Sequence, residues 1–383
     1  MNKLLVSLYM LAATLCSKLF RHFKLQTKTV MMISFSDNPE QLFQDMEAEH
    51  FTPETIVYYD PRLDSSQFAR NFIQMIPLTK KNLVSRLYHL NTAKVVIIDN
   101  YFPELASVEW RTDVTCVQIW HADGALKRFA WEDKTVSARS ESDQKRFKAV
   151  YRSFQHVLVG SDEMTKIFKR SFLIEDDSRF LKLGVPSTDY FFDQEKIEKT
   201  RSDYRAKWAT GSRKTVLYAP TFRDQELDSP QLLLDVQKAA DMLGADYQLL
   251  LKLHPAISGN VELPQAKGNI LLLDSQLPMK EVLAASDILL TDYSSTPFEF
   301  ALLKRPIYFF APDLEKYDKE RGLVQGFEKM IPGPVYRSTE ELVEAIKKEA
   351  ADLKKIAHFG QKWNKFADGE SGKRLVHYLK DKL

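Results

Sequence analysis

Short apolar runs rich in Val, Ile and Leu recur along this chain, each followed by a stretch with helical periodicity. This alternation restricts the fold more than any other feature, because parallel strands need long crossovers and helices supply them. Parallel α/β units are therefore expected rather than a sandwich or a helical bundle. In the first half, strands are expected at 29–35, 55–59, 95–99, 115–120 and 156–159. In the second they fall at 215–219, 248–253, 270–273, 288–290 and 307–310, with helical patterns at 232–243, 279–285 and 339–350. Residues 182–208 hold Gly184-Val185-Pro186 and then a charged, weakly apolar helix, which reads as the connection between two α/β domains. The polar stretch 132–148 reads as an exposed segment of the first domain.

A chain of 383 residues fits two or three such domains. Its 44% hydrophobic and 28% charged content is that of a core-forming protein. A net charge of +2 gives no general case for nucleic-acid binding. Cys16 and Cys116 lie far apart and allow neither a disulfide framework nor a cysteine zinc pattern, which favours a reducing compartment.

Residues 4–20 are apolar apart from small or hydroxyl residues and Lys18, and Arg21, His22, Lys24 and Lys28 follow. A secretory signal carries its charge before the apolar run, and Leu15 fits poorly ahead of Cys16 in a lipoprotein site. As a helix the run spans about 25 Å, short of the ~30 Å bilayer core. Two readings stay open. One is an interfacial helix with Leu4, Leu8, Leu11 and Leu15 toward lipid and Lys18, Arg21 and Lys24 toward anionic headgroups. The other is a helix buried in the protein.

Ligands of open α/β sheets bind beyond the carboxyl ends of the strands, and polar residues collect there. Strand 115–120 runs into His121, Asp123, Gly124 and Lys127, and strand 215–219 into Thr221 and Arg223. Strand 248–253 ends at His254-Pro255, with Lys252 and His254 two apart and so on one face. The run Ile288-Leu289-Leu290 stops at Thr291-Asp292-Tyr293-Ser294-Ser295-Thr296, and Pro297 opens an apolar helix. Thr296, Pro297 and Glu299 make a capping box with proline at the first helical position. The same backbone would present unpaired N–H groups to a phosphate.

Taken together these segments resemble the CDP-glycerol glycerophosphotransferase family, which builds teichoic acids of Gram-positive walls. The resemblance rests on Trp120-His121-Ala122 with Gly124 and Lys127, Tyr218-Ala219-Pro220-Thr221-Phe222-Arg223 and Lys252-Leu253-His254-Pro255. It continues through Thr291-Asp292-Tyr293-Ser294-Ser295 with Phe298-Glu299, and Arg321-Gly322 before Pro332-Gly333-Pro334. It covers the chain from about residue 29 to Trp363-Asn364-Lys365 and Asp368-Gly369. The short chain, the apolar N-terminus and the Trp-His-Ala-x-Gly form look like members that add a single glycerol phosphate. The polymerases are typically longer and carry Trp-His-Gly-Thr.

The resemblance implies an α/β fold of GT-B type, two Rossmann-like domains facing a cleft, with an N-terminal membrane-associating helix. The expected division is 1–25 for that helix, 26–190 for the acceptor-side domain, 191–365 for the CDP-glycerol domain and 366–383 for a helix crossing back. CDP-glycerol would be the donor and an undecaprenyl-diphosphate-linked disaccharide ending in N-acetylmannosamine the acceptor, with CMP released at the cytoplasmic face of the membrane. Other teichoic acid enzymes are further candidate partners. His121 is implied as the base, with Asp123 orienting it or sharing the role and His254 the third catalytic candidate. His254, Arg223 and Arg321 would hold the diphosphate, together with Thr221, Lys252, Pro255, Ser294, Ser295 and Thr296. Glu299 would meet the ribose. Trp120, Gly124 and Lys127 would face the acceptor. Asp292, assigned to the donor, has with Asp313 the chemistry to ligate Mg²⁺, but no paired-carboxylate motif is present, and no tightly bound metal or cofactor is expected. Three alternatives stand beside this reading: a poly(glycerol phosphate) polymerase, a UDP-sugar glycosyltransferase of the same fold, and a non-catalytic nucleotide-binding protein.

Overall fold

The computed structural model describes residues 3–221, 223, 232–253 and 269–383. The chain divides into two compact units. The first comprises Met1–Ala122, Phe129–Asp189 and Phe366–Leu383, and the second Asp123–Arg128 and Tyr190–Lys365.

The first unit is built on β1 (Gln26–Ile33), β2 (Thr55–Tyr59), β3 (Ile73–Pro77), β4 (Ala93–Ile98), β5 (Thr115–Gln118), β6 (His156–Leu158) and β7 (Phe180–Leu181). They form one sheet in the order β3-β2-β1-β4-β5-β6-β7, every pair parallel. Residues 30–33 of β1 and 95–98 of β4 are fully buried, as expected of strands covered on both faces. Each such Val or Ile side chain contributes about 1.5–3 kcal/mol on burial.

The second sheet contains β8 (Lys214–Ala219), β9 (Tyr247–Leu251), β10 (Ile270–Leu272), β11 (Ile288–Thr291), β12 (Ile307–Phe310) and β13 (Val335–Tyr336). Its order is β10-β9-β8-β11-β12-β13, again parallel throughout. In both sheets the order reverses once, between β1 and β4 and between β8 and β11. Those reversals are the topological switch points at which a doubly wound sheet opens a crevice.

The expected strands all form, with ends displaced by at most three residues. The unexpected ones, β3, β7 and β13, lie at sheet edges or are two residues long. The segment expected at 132–148 as exposed contains a helix, Glu141–Ser153, started by Ser140 Oγ accepting from the Asp143 amide. The helix expected from 232 begins only at Val236, because Asp235 caps it through the Lys238 amide. Helix Gln194–Lys207, in the expected connection, belongs to the second unit, where Arg201 and Arg205 pair with Asp287.

The N-terminal helix Lys3–Phe20 packs on helix Leu83–Thr92 and on the 3₁₀ segment Pro103–Ser107. Its docked face is small and polar. Ala13 is fully buried, Ser17 donates to Asn91 Oδ1 at 3.0 Å, and Tyr9 donates to Glu104, itself paired with buried Arg86 at 2.5 Å. The leucines point the other way, with Leu8, Leu11, Leu15 and Leu19 each more than half exposed. No described helix is long and apolar enough to cross a membrane. The helix is therefore docked on the first unit through one face and leaves its leucine face exposed.

Candidate active site

In the first unit, Asp99 follows β4 at the switch point and is fully buried. Its carboxylate accepts from the Ser34 amide at 2.9 and 2.8 Å and from the Phe35 amide at 2.9 Å, which pins the loop leaving β1. Burial pushes this carboxyl up to about 7 against those amide bonds. The Asp99 carbonyl lies 3.0 Å from His121 Nδ1. A carbonyl only accepts, so Nδ1 carries the proton and Nε2 keeps its lone pair. Phe35 stacks on the imidazole at 3.9 Å and 16°, and Trp120 at 4.1 Å and 29°. Burial among these rings holds His121 down to about 4, so it is neutral at pH 7.

Trp120 reaches this position through a left-handed backbone, φ 54°, a conformation costly for a bulky residue. Its amide donates to Gln118 Oε1 at 2.8 Å, its carbonyl accepts from Asn38 at 3.0 Å, and its ring stacks on Phe129. Phe35, Asn38 and Asp99 were not singled out by sequence. Their only signal was a position just beyond the apolar runs of β1 and β4.

In the second unit, the switch point between β8 and β11 is held by Asp292, 2% exposed. One of its oxygens accepts from the amides of Thr221 at 2.8 Å and Tyr293 at 2.6 Å. The other accepts from Arg223 Nη1 at 2.9 Å. Asp313, beyond β12, grips the same guanidinium at 3.1–3.2 Å and accepts from the Tyr293 hydroxyl at 2.9 Å. Tyr293 and Tyr317 stack at 3.9 Å, with the guanidinium 5.6 and 5.5 Å from their centroids. Arg223 is thus fixed between two carboxylates beside an aromatic pair, and the trio carries one net negative charge.

The following helix, Thr296–Phe300, is only five residues long and continues as a 3₁₀ turn, Ala301–Leu303. Its macrodipole is correspondingly small. Ser294 Oγ accepts from the Thr296 amide at 3.3 Å and Ser295 is the capping position, so Thr296 is the first helical residue rather than the cap. Its freed hydroxyl is buried with no partner among the described residues, as is that of Thr221. A buried hydroxyl left unmatched costs about 1–3 kcal/mol, so each is available to a polar partner. Glu299 is half-buried one turn further on.

Other expected residues are placed differently. Lys252 is 5% exposed and donates to the carbonyls of Asp274 and Ser275 at 3.0 and 2.6 Å, and burial lowers it to about 8. Arg321 is exposed at the end of helix Leu314–Glu320. His254 and Pro255 lie outside the described residues. Segment Asp123–Arg128 belongs to the second unit, not to the acceptor-side domain expected for Gly124 and Lys127. Lys127 bridges to Leu323, and Gly124 lies against Phe298, whose ring a Cβ there would meet at 2.4 Å. Asp123 is 1% exposed, and neither carboxylate oxygen has a partner at hydrogen-bond geometry among the described residues. Burial pushes it up to about 7. No group of three or more metal-ligating side chains occurs among the described residues.

The first unit thus presents a neutral, oriented imidazole at its switch point, and the second, at its own, a fixed guanidinium with hydroxyls unmatched among the described residues. Residues 15–381 match the model of the CDP-glycerol:poly(glycerophosphate) glycerophosphotransferase family, and the chain belongs to it. It is a transferase of this class. It is 35% identical to the teichoic acid glycerol-phosphate primase of Bacillus subtilis (strain 168) over 99% of this chain and 98% of that protein. With the primase of Bacillus spizizenii (strain ATCC 23059 / NRRL B-14472 / W23) it shares 33% over 94% of each. Among solved structures, the wall teichoic acid polymerase TagF has a similar fold, with TM-score 0.80, 23% identity and coverage of 99% and 96%.

Proposed function

We propose that the protein is a GT-B-type glycerol-phosphate primase. It transfers one glycerol phosphate from CDP-glycerol to the N-acetylmannosamine hydroxyl of an undecaprenyl-diphosphate-linked disaccharide. The observation that carries the chemistry is the His121 tautomer: Nδ1–H is committed to Asp99, and Nε2 is free to take a proton. The acceptor oxygen forms its bond to the phosphorus nearest glycerol as the bond to the CMP oxygen breaks, and the hydroxyl proton passes to Nε2. A base in this role contributes about 10²–10⁴-fold. Positioning and electrostatics supply the rest, as in phosphoryl transfer generally.

On the donor side, Arg223 faces the diphosphate, and Thr221, Ser294, Ser295 and Thr296 supply hydroxyl and amide donors. The exposed leucines of helix Lys3–Phe20, bordered by Lys18, Arg21 and Lys24, rest on the cytoplasmic face of the membrane, where the acceptor is anchored. A single addition is favoured over polymerisation by the Trp120-His121-Ala122 form and the near end-to-end match to primases. Mass spectrometry of the product from CDP-glycerol and lipid-linked disaccharide tests this. One added unit with one CMP released is expected. A ladder would make the protein a polymerase, and consumption of a UDP-sugar instead would overturn the reading.

A further inference from the structure

Helix Lys3–Phe20 carries more than an apolar edge. Beside the leucines, Thr14, Ser17, Lys18 and Arg21 line a cavity of about 80 Å³ with Ser107 and Glu109, residues at and just beyond the 3₁₀ segment Pro103–Ser107. That is room for two or three waters at ~30 Å³ each, or for one small polar group. Its floor is built rather than open surface, since Ser17 and Ser107 are 2% and 9% exposed. Thr14 Oγ1 gives its hydrogen to the Met10 carbonyl at 2.8 Å, so Ser107 donates to Thr14 at 3.1 Å and its own oxygen is left to accept from a ligand. Lys18 has no ion-pair partner among the described residues, while Arg21 shares its guanidinium with Glu109 at 2.7 Å.

The charges set the ligand. Lys18 and Arg21 against Glu109 leave one positive charge, which complements a monoanion and under-compensates a phosphomonoester or diphosphate. The negative end of the helix would repel an anion here. Arg111 offsets it by donating to the carbonyls of Arg21 at 2.7 Å and Phe23 at 2.8 Å. Glu109, largely exposed, can accept from a hydroxyl or ammonium carried by the same ligand. Lys18 follows Leu15 by three residues and Leu11 by seven, so the cavity flanks the leucine edge.

We propose that this cavity is a headgroup site for the phosphodiester of a membrane lipid bearing hydroxyl or ammonium groups, taken up while the neighbouring leucines enter the acyl region. The proposal rests on the membrane reading above and adds a discrete, chemically selective contact to it. A charged stripe alone would respond to surface charge whatever group carried it.

The test is flotation of the full-length protein with three vesicle types: neutral phosphatidylcholine, phosphatidylcholine with phosphatidylglycerol, and phosphatidylcholine with cholesteryl hemisuccinate matched in surface charge. Phosphatidylglycerol vesicles should bind about tenfold more tightly than the carboxylate vesicles, the worth of one or two charge-assisted hydrogen bonds. Lys18→Gln, on an exposed residue, and Ser107→Ala should each bring that ratio toward one. Equal binding to both anionic vesicles, unchanged in the variants, would overturn the headgroup site and leave the membrane reading standing. Binding to no vesicle would remove both. Soluble glycerophosphoglycerol binding as tightly as the vesicles would assign the cavity to a free phosphodiester and overturn the lipid assignment.

Discussion

At the residue scale, His121 and Asp123 are close in the chain but differ in what burial does to them. Burial keeps the imidazole neutral down to about 4 and keeps the carboxyl protonated up to about 7. A base must be unprotonated, so each candidate places the acid limb of kcat/KM differently. With His121 as base, activity holds from pH 8 to 5 and falls through about 4. A limb near 7 that disappears in Asp123→Asn would transfer the role. Phe35→Ala should let water reach the ring and move the His121 limb up toward its ordinary value, roughly 6.5. The pH–rate profile reads both variants directly. Arg223 poses a second question, because Asp292 and Asp313 already hold it. Arg223→Lys loses the fork that meets both carboxylates and should weaken CDP-glycerol binding at least about tenfold by calorimetry. Asp313→Asn removes one competing charge while keeping an acceptor for Tyr293, and should leave donor affinity equal or tighter. Loss of affinity in Asp313→Asn would make Arg223 a structural lock.

At the element scale, the sequence exposed what periodicity carries and hid what tertiary neighbours decide. Buried strands such as β4 and β11 read clearly because both faces are apolar. The edge strand β3 did not, since Gln74 and Pro77 break its pattern and an edge tolerates both. His121, Arg223 and Asp292 stood out by their position at strand ends, while the roles proposed for them came from the family resemblance. Their partners did not stand out: Asp99 looked like the end of a strand, and only the fold turns its carbonyl to the imidazole. Lys252 shows the converse, a strand-end cation whose charge goes to a loop. Gly124 gives this scale its own test. Phe298 packs on Phe359 and Trp363 at 5.1 and 4.6 Å, and leaves no room for a Cβ at 124. Gly124→Ala should cost about 1–3 kcal/mol by chemical denaturation, the usual price of overpacking. Gly124→Ala matching the parent in both stability and turnover would mean that this packing is not what holds segment Asp123–Arg128.

At the scale of the whole molecule, two parallel sheets with one reversal each account for where the polar residues collect, and helix Lys3–Phe20 is the part they do not require. Deleting residues 1–24 tests its purpose poorly. Removal would strip the cover from Arg86, Glu104 and Asn91, and a buried ion pair left beside a void costs stability whatever the helix does at a membrane. The outward face isolates the question. Leu8, Leu11 and Leu15 are 53%, 56% and 60% exposed. Changing all three to Ser should leave denaturation midpoints nearly unchanged, since surface substitutions usually stay within about 0.5 kcal/mol each. It should also leave turnover of a short-chain, water-soluble acceptor analogue at the parent level. Turnover of the undecaprenyl-linked acceptor in vesicles should fall at least about tenfold, because a leucine side chain entering the acyl region is worth up to about 1.5–3 kcal/mol of membrane affinity. Equal loss on both acceptors would mean that the leucines serve the catalytic fold. No loss on either would mean that the acceptor reaches the enzyme without this face.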